Sequence, residues 1–358
     1  MMKAENFFAA KIVEWYQSHQ RILPWRATQD PYRIWLSEII LQQTRVDQGL
    51  PYYLKFVERF PDVGSLASAK QDEVLRFWQG LGYYSRARNL HRCSGIIVDR
   101  YKGSFPSSLE ELESLPGIGN YTAAAIASIA FQRPVAAVDG NAYRVLSRFF
   151  GIEADVSSSE GQKLFREFAN RIIPPGEPGA FNQGIMDLGA TLCLPGNPEC
   201  ERCVLAPRCV AKLRGLQHQL PVKRKRLKKR KRFFHYFVLK HRSKLLMKKR
   251  NAKDIWQGLY DFYLIEATRR TSALSLARED KYLKGLLRQG DKINSTPAVR
   301  HVLTHQEIWA AFTVIEVGEK TKLGRIAELT RMKLYTSSAV EQLPKPVPIS
   351  KFLSTAAI

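Results

Sequence analysis

Acidic residues are scarce in this sequence of 358 residues, which holds 33 Asp and Glu against 56 Lys and Arg and has a formal net charge of +23. So large an excess of positive charge argues against a basic partner. It favours a polyanion such as nucleic acid, because each neutralised phosphate releases condensed counterions. The alternative is that the charge serves solubility alone.

The sequence also lacks long hydrophobic runs, since no stretch reaches the roughly 18 uncharged apolar residues that a membrane-spanning helix needs. Residues 1–11 lack the apolar run and cleavage site of a secretory signal. We therefore expect a soluble cytoplasmic protein without a membrane partner. Hydrophobic residues make up 45% of the chain, which is enough for two domains with buried cores.

The pattern of the chain changes after a basic segment. From Phe7 to Arg214 apolar residues recur at helical spacing between Pro and Gly clusters, which predicts an all-helical half. Residues 223–232 then contain nine Lys and Arg. Because like charges repel, we interpret this segment as a linker, with a DNA-backbone contact and a nuclear localisation signal as alternatives.

Short runs of β-branched and aromatic residues follow, which predict a second, α+β domain. These runs are Phe233–Leu239, Lys244–Lys248, Tyr260–Ile265 and Phe312–Val317. We predict a helical domain over residues 1–217, a basic linker over 218–232 and a second domain over 233–358.

Cysteine is rare as well, but four of the five cysteines lie in one short segment with the spacing C-x6-C-x2-C-x5-C. They are Cys193, Cys200, Cys203 and Cys209. Disulfides are disfavoured in a chain without an export signal. Four thiolates suit zinc or an iron–sulfur cluster equally, although the usual zinc pattern has two close pairs. Cys93 lies far away in the sequence and is predicted to be a buried thiol.

Two acidic residues stand in apolar surroundings, Glu38 within WLSEII and Asp139 within VAAVDGN. Glu38 could be an exposed first-turn helix residue, and Asp139 could be only a helix N-cap. Together they have the composition that cleavage of an N-glycosidic bond requires, in which the departing base is protonated while positive charge builds on the sugar. Apolar neighbours suit Glu38 to be an acid of raised pKa. A helix N-terminus suits Asp139 to be the ionised stabiliser.

The segment LPGIG at residues 115–119 precedes a helix rich in small residues. Gly117 and Gly119 allow the turn to run close to another backbone, and the N–H groups that open the next helix can face a phosphate. As a bare pattern, it is equally a common turn between two helices.

These segments resemble the helix-hairpin-helix superfamily of endonuclease III and, within it, the adenine glycosylases. The cysteine spacing resembles the family's [4Fe–4S] loop, here residues 193–209, and LPGIG resembles the hairpin that grips DNA phosphates. The resemblance is strong over residues 20–210 and looser over 233–358. It implies an all-α helix-hairpin-helix glycosylase domain with a [4Fe–4S] cluster, followed by an α+β Nudix-like domain.

The resemblance also implies catalytic roles. Glu38 would protonate adenine N7, and Asp139 would stabilise the oxocarbenium ion or trap it covalently. Relatives that also cut the strand have a lysine where this sequence has Tyr121, and the lysine amine attacks the sugar. The sequence therefore resembles the monofunctional branch, with Tyr121 expected to bond to Glu38. The alternative is a core tyrosine.

Contacts with DNA follow from the same resemblance. In the family, the segments that match LQQT and GLGYYSRAR enter the duplex beside the extruded base, which offsets the cost of extrusion. Gln43 and Tyr83 would be the inserted side chains, although both could be ordinary helix-face residues. Gln183 would touch the adenine. The other residues expected to contact DNA or the base are Gly117, Gly119 and Asn141.

The second domain resembles the Nudix-like domain of adenine glycosylases through WQGLYDF at 256–262 and HVLTH at 301–305. Residues 263–280 lack the Glu-rich metal box of a Nudix hydrolase, so we expect this domain to bind rather than to hydrolyse. The family's Phe-Ser-His is Leu303-Thr304-His305 in this chain. Thr304 and His305 would contact 8-oxoguanine, but the aromatic ring is lost.

The sequence thus predicts a monomeric, monofunctional glycosylase that removes adenine mispaired with 8-oxoguanine or guanine in double-stranded DNA, in the bacterial cytoplasm and associated with the nucleoid. Two alternatives remain. One is a bifunctional glycosylase/lyase for oxidised pyrimidines, as in endonuclease III. The other is a non-catalytic iron–sulfur protein that binds DNA or senses redox state.

Overall fold

The structure, a computed structural model, describes residues 3–224, 229–286, 295–318 and 320–356. Within these ranges, no helix has the length and apolar character needed to cross a membrane. Four residues of the basic segment, 225–228, lie outside the described residues.

The chain forms two compact units. Unit 1 comprises Met1–Ser68 and Asn89–Arg226, and unit 2 comprises Ala69–Arg88 and Leu227–Ile358. The prediction of a helical half followed by an α+β half is confirmed, whereas the exact domain limits remain predictions.

In chain order, the helices of the described residues are α1 (Ala4–His19), α2 (Pro31–Leu41), α3 (Val46–Arg59), α4 (Val63–Ser68), α5 (Gln71–Phe77), α6 (Ser85–Tyr101), α7 (Leu109–Ser114), α8 (Asn120–Ala130), α9 (Gly140–Phe150), α10 (Ser159–Ile172), α11 (Pro178–Thr191), α12 (Val210–Arg214), α13 (Ala273–Glu279), α14 (Lys320–Thr330), α15 (Ser337–Gln342) and α16 (Val347–Thr355). Short 3-10 helices span Pro24–Arg26, Cys200–Arg202, Ala206–Arg208 and Lys284–Leu286.

Capping side chains determine where several helices of unit 1 begin. The side chains of Asp30, Ser108, Asp139 and Ser158 each accept a hydrogen bond from a backbone N–H in the first turn of α2, α7, α9 and α10. These bonds satisfy N–H groups that lack a partner inside the helix. Two of the capped helices, α2 and α9, carry Glu38 and Asp139 at their ends.

The core of unit 1 is built from aromatic and aliphatic side chains of α1, α9, α10 and α11, among them Phe8, Phe149, Phe165 and Phe181. Helix α11 packs closely on α1 because Gly184 has no side chain. A Cβ at that position would lie 2.8 Å from Ile12 Cγ2 and 3.1 Å from the Ile12 carbonyl oxygen.

Unit 2 contains one sheet, which has seven strands in the described part of the chain. The strands are β1 (Arg230–His241), β2 (Lys244–Lys249), β3 (Tyr260–Asp261), β4 (Tyr263–Ala267), β5 (Val299–Val302), β6 (Gln306–Glu316) and β7 (Lys333–Thr336). Their order is β3-β2-β1-β6-β5, with β4 also paired to β1 and β7 to β2. Strands β1 and β6 are parallel, and the other pairs are antiparallel.

Each of the four predicted runs overlaps a strand, but the boundaries differ: Tyr260–Ile265 is divided between β3 and β4 at Phe262, and β6 ends one residue before Val317. Strand β1 begins at Arg230, inside the predicted linker. The charge of Arg232 is compensated there, since its guanidinium donates to the carboxylates of Asp254 and Glu266 at 2.7–3.0 Å. Strands β5 and β7 were not predicted, because each has only four residues and includes charged side chains.

Residues 69–88 belong to unit 2 although they precede the rest of that unit by about 140 residues. The Asp72 carboxylate pairs with Lys249 Nζ at 2.5 Å and accepts the Tyr260 hydroxyl at 3.0 Å. Gln79 bonds to the Lys345 backbone N–H at 2.9 Å, and Arg88 donates to the Gln257 carbonyl at 2.6 Å. These contacts hold α5 and the following loop on the second half of the chain.

The packing at Gly184 makes a testable prediction. Gly184→Ala should destabilise the protein by about 1–3 kcal/mol, because the added methyl group meets Ile12 in a closely packed interface. Gly95→Ala is the matched control, since Gly95 lies within α6 and a Cβ there would meet no atom within 4 Å. It should stabilise the protein by roughly 0.5–1 kcal/mol. Urea unfolding measures both, and equal effects would contradict the packing described.

Candidate active site

A cavity of about 950 Å³ opens in unit 1 and brings together the three predicted catalytic residues and three of those predicted to contact DNA or the base. These six residues are Glu38, Gln43, Tyr121, Asp139, Asn141 and Gln183. The two acids, which are about 100 residues apart in sequence, therefore face the same space. This is the arrangement that cleavage of an N-glycosidic bond requires.

Glu38 lies in the last turn of α2 and is only partly exposed. The alternative of an exposed first-turn residue is therefore wrong. Its Oε2 accepts the Tyr121 hydroxyl at 2.8 Å, so the expected bond between these residues is present. Burial raises the pKa of Tyr121 well above its usual range, which keeps the phenol a donor.

Burial raises the pKa of Glu38 from 4.5 to about 7. The Tyr121 hydrogen bond lowers it, the Asp139 charge raises it, and the Arg26 charge lowers it. Burial dominates because an ionised carboxylate loses most of its hydration in the cavity wall. The carboxyl can consequently keep its proton near neutral pH and release it within the cavity.

Asp139 is the N-cap of α9, in agreement with one interpretation of the sequence. Its Oδ1 accepts the Ala142 backbone N–H at 2.7 Å, and its Oδ2 accepts the Asn141 amide at 2.8 Å. Burial nevertheless raises the pKa of Asp139, while these hydrogen bonds and the charge of Arg144 lower it. The helix start thus favours the anion less completely than the sequence suggested.

Both polar atoms of the Asn141 side-chain amide are hydrogen-bonded to other residues of the protein. Its Nδ2 donates to Asp139, and its Oδ1 accepts from Arg144 Nη2 at 2.8 Å. Arg144 also donates to the carbonyls of Gly189 at 2.7 Å and Cys193 at 2.6 Å. In this structure Asn141 orients Asp139, a role that the predicted DNA contact did not include.

The hairpin glycines have different local roles. Gly117 has φ +81°, and a Cβ there would lie 2.8 Å from Asn89 Cβ. Gly119 is the N-cap residue of α8 and brings no side chain to that helix end. The start of α8 can therefore approach an anion such as a phosphate.

Gln43 and Tyr83 are both exposed, and the backbone of each lies in the left-handed region, with φ of +56° and +47°. Neither lies in a helix, so the alternative of a helix-face residue is wrong for both. Positive φ is uncommon outside glycine and costs energy that the surrounding structure must offset.

Thr304 and His305 occupy the turn between β5 and β6 and are exposed. The turn is closed by the Leu303 backbone N–H, which donates to the Gln306 carbonyl at 2.8 Å. Within unit 2, the Thr304 hydroxyl is in hydrogen-bond contact with the Tyr83 hydroxyl. Tyr83 and Thr304, which two separate motifs predict to contact DNA or the base, are thus neighbours.

The four clustered cysteines are partly buried and line one small cavity together with Arg148. Arg148 Nη1 lies 3.4 Å from Cys193 Sγ. All five cysteines are free, and Cys93 is buried as predicted. Among the residues that the structure describes, no three His, Cys, Asp or Glu side chains form a group that could hold one metal ion.

Among the residues of the large cavity that sequence reasoning missed are Arg21 and Arg26. Both pair with Asp187 of α11, which is fully buried. A buried Asp in the otherwise apolar stretch GIMDLGA was the signal that could have revealed a cationic partner, because such a charge is rarely buried alone.

Comparison with known proteins agrees with the two-part fold. The HhH-GPD superfamily of base excision DNA repair proteins matches residues 36–171, and the NUDIX domain matches residues 235–355. The adenine DNA glycosylase of Buchnera aphidicola subsp. Baizongia pistaciae (strain Bp) is 32% identical over 352 residues, covering 97% of this chain and 96% of its own length. The adenine DNA glycosylase of Homo sapiens is 41% identical over 222 residues, covering 60% of this chain and 41% of its own.

Among solved structures, endonuclease III in a non-covalent complex with DNA is similar in fold, with a TM-score of 0.52 and 20% identity. The match covers 61% of this chain and 100% of the endonuclease III chain. The helix-hairpin-helix and Nudix-like fold expected from the sequence is confirmed.

The raised pKa of Glu38 makes stability depend on pH. Between pH 4.5 and about 7 the folded protein keeps a proton that the unfolded chain releases, so stability falls as pH rises through this window. The Glu38→Gln variant does not lose stability in this way, because its amide has no proton to release in this pH range. Relative to wild type it should gain on the order of 3 kcal/mol between pH 4.5 and pH 8, as measured by urea unfolding.

Glu110→Gln, at an exposed position in the first turn of α7, is the matched control. If the two variants show the same dependence on pH, burial does not hold the proton on Glu38.

Proposed function

This chain belongs to the adenine DNA glycosylase family, and we propose that it hydrolyses the N-glycosidic bond of adenine mispaired with 8-oxoguanine or guanine, with Glu38 as the proton donor. The observation that carries the proposal is the Glu38 carboxyl itself. It has a pKa raised to about 7, it is hydrogen-bonded to Tyr121 at 2.8 Å, and it shares a cavity with Asp139.

In the proposed reaction the extruded adenine enters the cavity and Glu38 transfers its proton to N7. Protonation weakens the bond between the base and the sugar, so the base leaves and positive charge develops on the sugar. Asp139, oriented by Asn141 and the start of α9, stabilises this charge until water adds to the sugar carbon. The proton that this water loses returns to the Glu38 carboxylate left by the first transfer. Extrusion of the base is aided by Gln43 and Tyr83.

A bifunctional glycosylase/lyase is not favoured. The two relatives named above, of Buchnera aphidicola and Homo sapiens, are adenine DNA glycosylases, and the residue near the hairpin is Tyr121 rather than a nucleophilic lysine. A phenol cannot form a Schiff base with the sugar.

The proton donor is tested by Glu38→Gln, which keeps the shape of the side chain but cannot donate a proton to the base. We expect single-turnover release of adenine from an A·G duplex to fall by at least ~10²–10⁴-fold, while DNA binding persists. Glu110→Gln serves as the control. Release by Glu38→Gln within tenfold of wild type would rule out the assigned role.

We also propose that Cys193, Cys200, Cys203 and Cys209 hold a [4Fe–4S] cluster. The support is a set of four free thiols around one cavity, in a family whose cysteine spacing this chain shares. Such a cluster takes one thiolate for each iron, so it fits four cysteines spread around a cavity. When bound, the cluster would cross-link residues 193–209 and would add a redox centre.

Removal of one ligand tests this assignment. Because metal ligation is coupled to folding, Cys200→Ser or Cys203→Ser should lose iron and soluble protein. Cys93→Ser, at a buried thiol remote in sequence, should keep the iron. Iron and sulfide analysis of the purified protein is the measurement, and stoichiometric zinc without iron would defeat the proposal.

For recognition of the opposite base we propose Thr304 and His305. The support is their exposure in the β5–β6 turn and the contact between the Thr304 and Tyr83 hydroxyls. A base displaced beside Tyr83 would meet the Thr304 hydroxyl and the His305 imidazole. Leu303 replaces the aromatic residue of the family, so hydrogen bonding rather than stacking would discriminate 8-oxoguanine from guanine.

Loss of these hydrogen bonds should change specificity more than activity. We expect Thr304→Ala and His305→Ala each to reduce the ratio of A·8-oxoG to A·G single-turnover rates by about 5- to 150-fold, or ~1–3 kcal/mol. Thr304→Ser keeps the hydroxyl and should keep most of the ratio. If both alanine variants retain the wild-type ratio, the β5–β6 turn does not read the lesion.

A further inference from the structure

A buried carboxylate in unit 1 plays no part in the mechanism above. Asp187 is fully buried in α11 and is held by two arginines. Its Oδ1 accepts Arg21 Nε at 2.6 Å and Arg26 Nη2 at 2.9 Å, and Arg21 Nη2 lies 2.5 Å from the same oxygen. Arg26 Nη1 and the Arg21 backbone N–H contact the other oxygen.

Both arginines reach the catalytic cavity, since Arg21, Arg26 and Glu38 all line it. The Arg26 side chain is only 8% exposed, and its guanidinium lies 5.5 Å from the centre of the Tyr16 ring. The charge of Arg26 lowers the pKa of Glu38, so the two groups interact electrostatically. Because the Arg26 side chain is almost completely buried, solvent screens its charge only weakly.

We propose that Asp187 is a positioning residue for base removal, which fixes Arg21 and Arg26 in the cavity wall and limits the net positive charge that faces the Glu38 carboxyl. The inference rests on the proposed role of Glu38 as proton donor. Two arginines and one aspartate leave a single positive charge. Without Asp187 this cluster of three side chains would carry two positive charges, and without Arg21 it would carry none.

This balance matters because the proton donor must be protonated before the base can leave. Additional positive charge in the wall favours the ionised carboxylate, and less positive charge favours the acid. Additional positive charge would also oppose the positive charge that develops on the sugar. Among the described residues, the Tyr121 hydroxyl and the Asp139 carboxyl also affect the pKa of Glu38, and Arg45, Asp47 and Arg144 line the same cavity. All five remain unchanged in the variants below.

A purely structural ion pair and a charge-setting group make different predictions. Loss of a structural pair lowers stability and reduces the rate at every pH by a similar factor. A charge-setting group moves the pH at which the rate is lost. Removal of its anion and removal of one of its cations should move that pH in opposite directions.

The experiment is the pH profile of single-turnover adenine release from an A·G duplex by full-length wild type, Asp187→Asn and Arg21→Gln. The wild-type rate should fall as pH rises through about 7, where Glu38 loses its proton. We expect the pH profile of Asp187→Asn to move to lower pH by roughly 0.5–1 pH unit. The profile of Arg21→Gln should move to higher pH by a smaller amount. The smaller movement follows from the 32% exposure of the Arg21 side chain.

Circular dichroism and thermal unfolding show whether Asp187→Asn folds. Arg21→Gln keeps the Arg26–Asp187 pair and carries the test by itself if Asp187→Asn does not fold. Profiles that coincide with wild type, or that move in the same direction, overturn the inference and leave the role of Glu38 intact. A wild-type rate that does not fall near pH 7 rejects the proton donor itself, and the inference with it.

Discussion

The chemistry proposed for this protein depends on the burial of one carboxyl group. Glu38 sits in the wall of the large cavity with a single strong hydrogen bond, from Tyr121, and loss of hydration outweighs that bond. A carboxylic acid can therefore be a proton donor at a pH where it would be ionised in water. The N-cap of α2 and the packing of α2 on α8 position this acid in the cavity that Asp139 also lines.

The second half of the chain also binds a segment that lies within the helical half of the sequence. It holds residues 69–88 through Asp72, Gln79 and Arg88, and this segment carries Tyr83 beside Thr304. Truncation at residue 217 would therefore remove contacts of a segment that lies far earlier in the sequence and is predicted to contact DNA. For this reason, point substitutions in the β5–β6 turn test the proposed lesion recognition separately from base removal more cleanly than a truncated chain would.

Features that depend on local sequence could be predicted, and features that depend on distant contacts could not. The helical half, the N-cap at Asp139 and the cysteine loop each follow from a few neighbouring residues. The ion pairs of Asp187 join residues up to 166 positions apart, and no periodicity indicates such a contact. The positive φ of Gln43 and Tyr83 was equally hidden, because both residue types usually avoid that conformation.

The central claim is that Glu38 keeps its proton near neutral pH, and carbon-13 NMR of glutamate-labelled protein tests it most directly. The Glu38 carboxyl resonance is identified by its absence in Glu38→Gln, and its chemical shift is followed from pH 4 to pH 9. We predict a midpoint near pH 7, well above that of an ordinary glutamate. A midpoint near pH 4.5 would mean that Glu38 is ionised under working conditions, and would contradict its role as the acid.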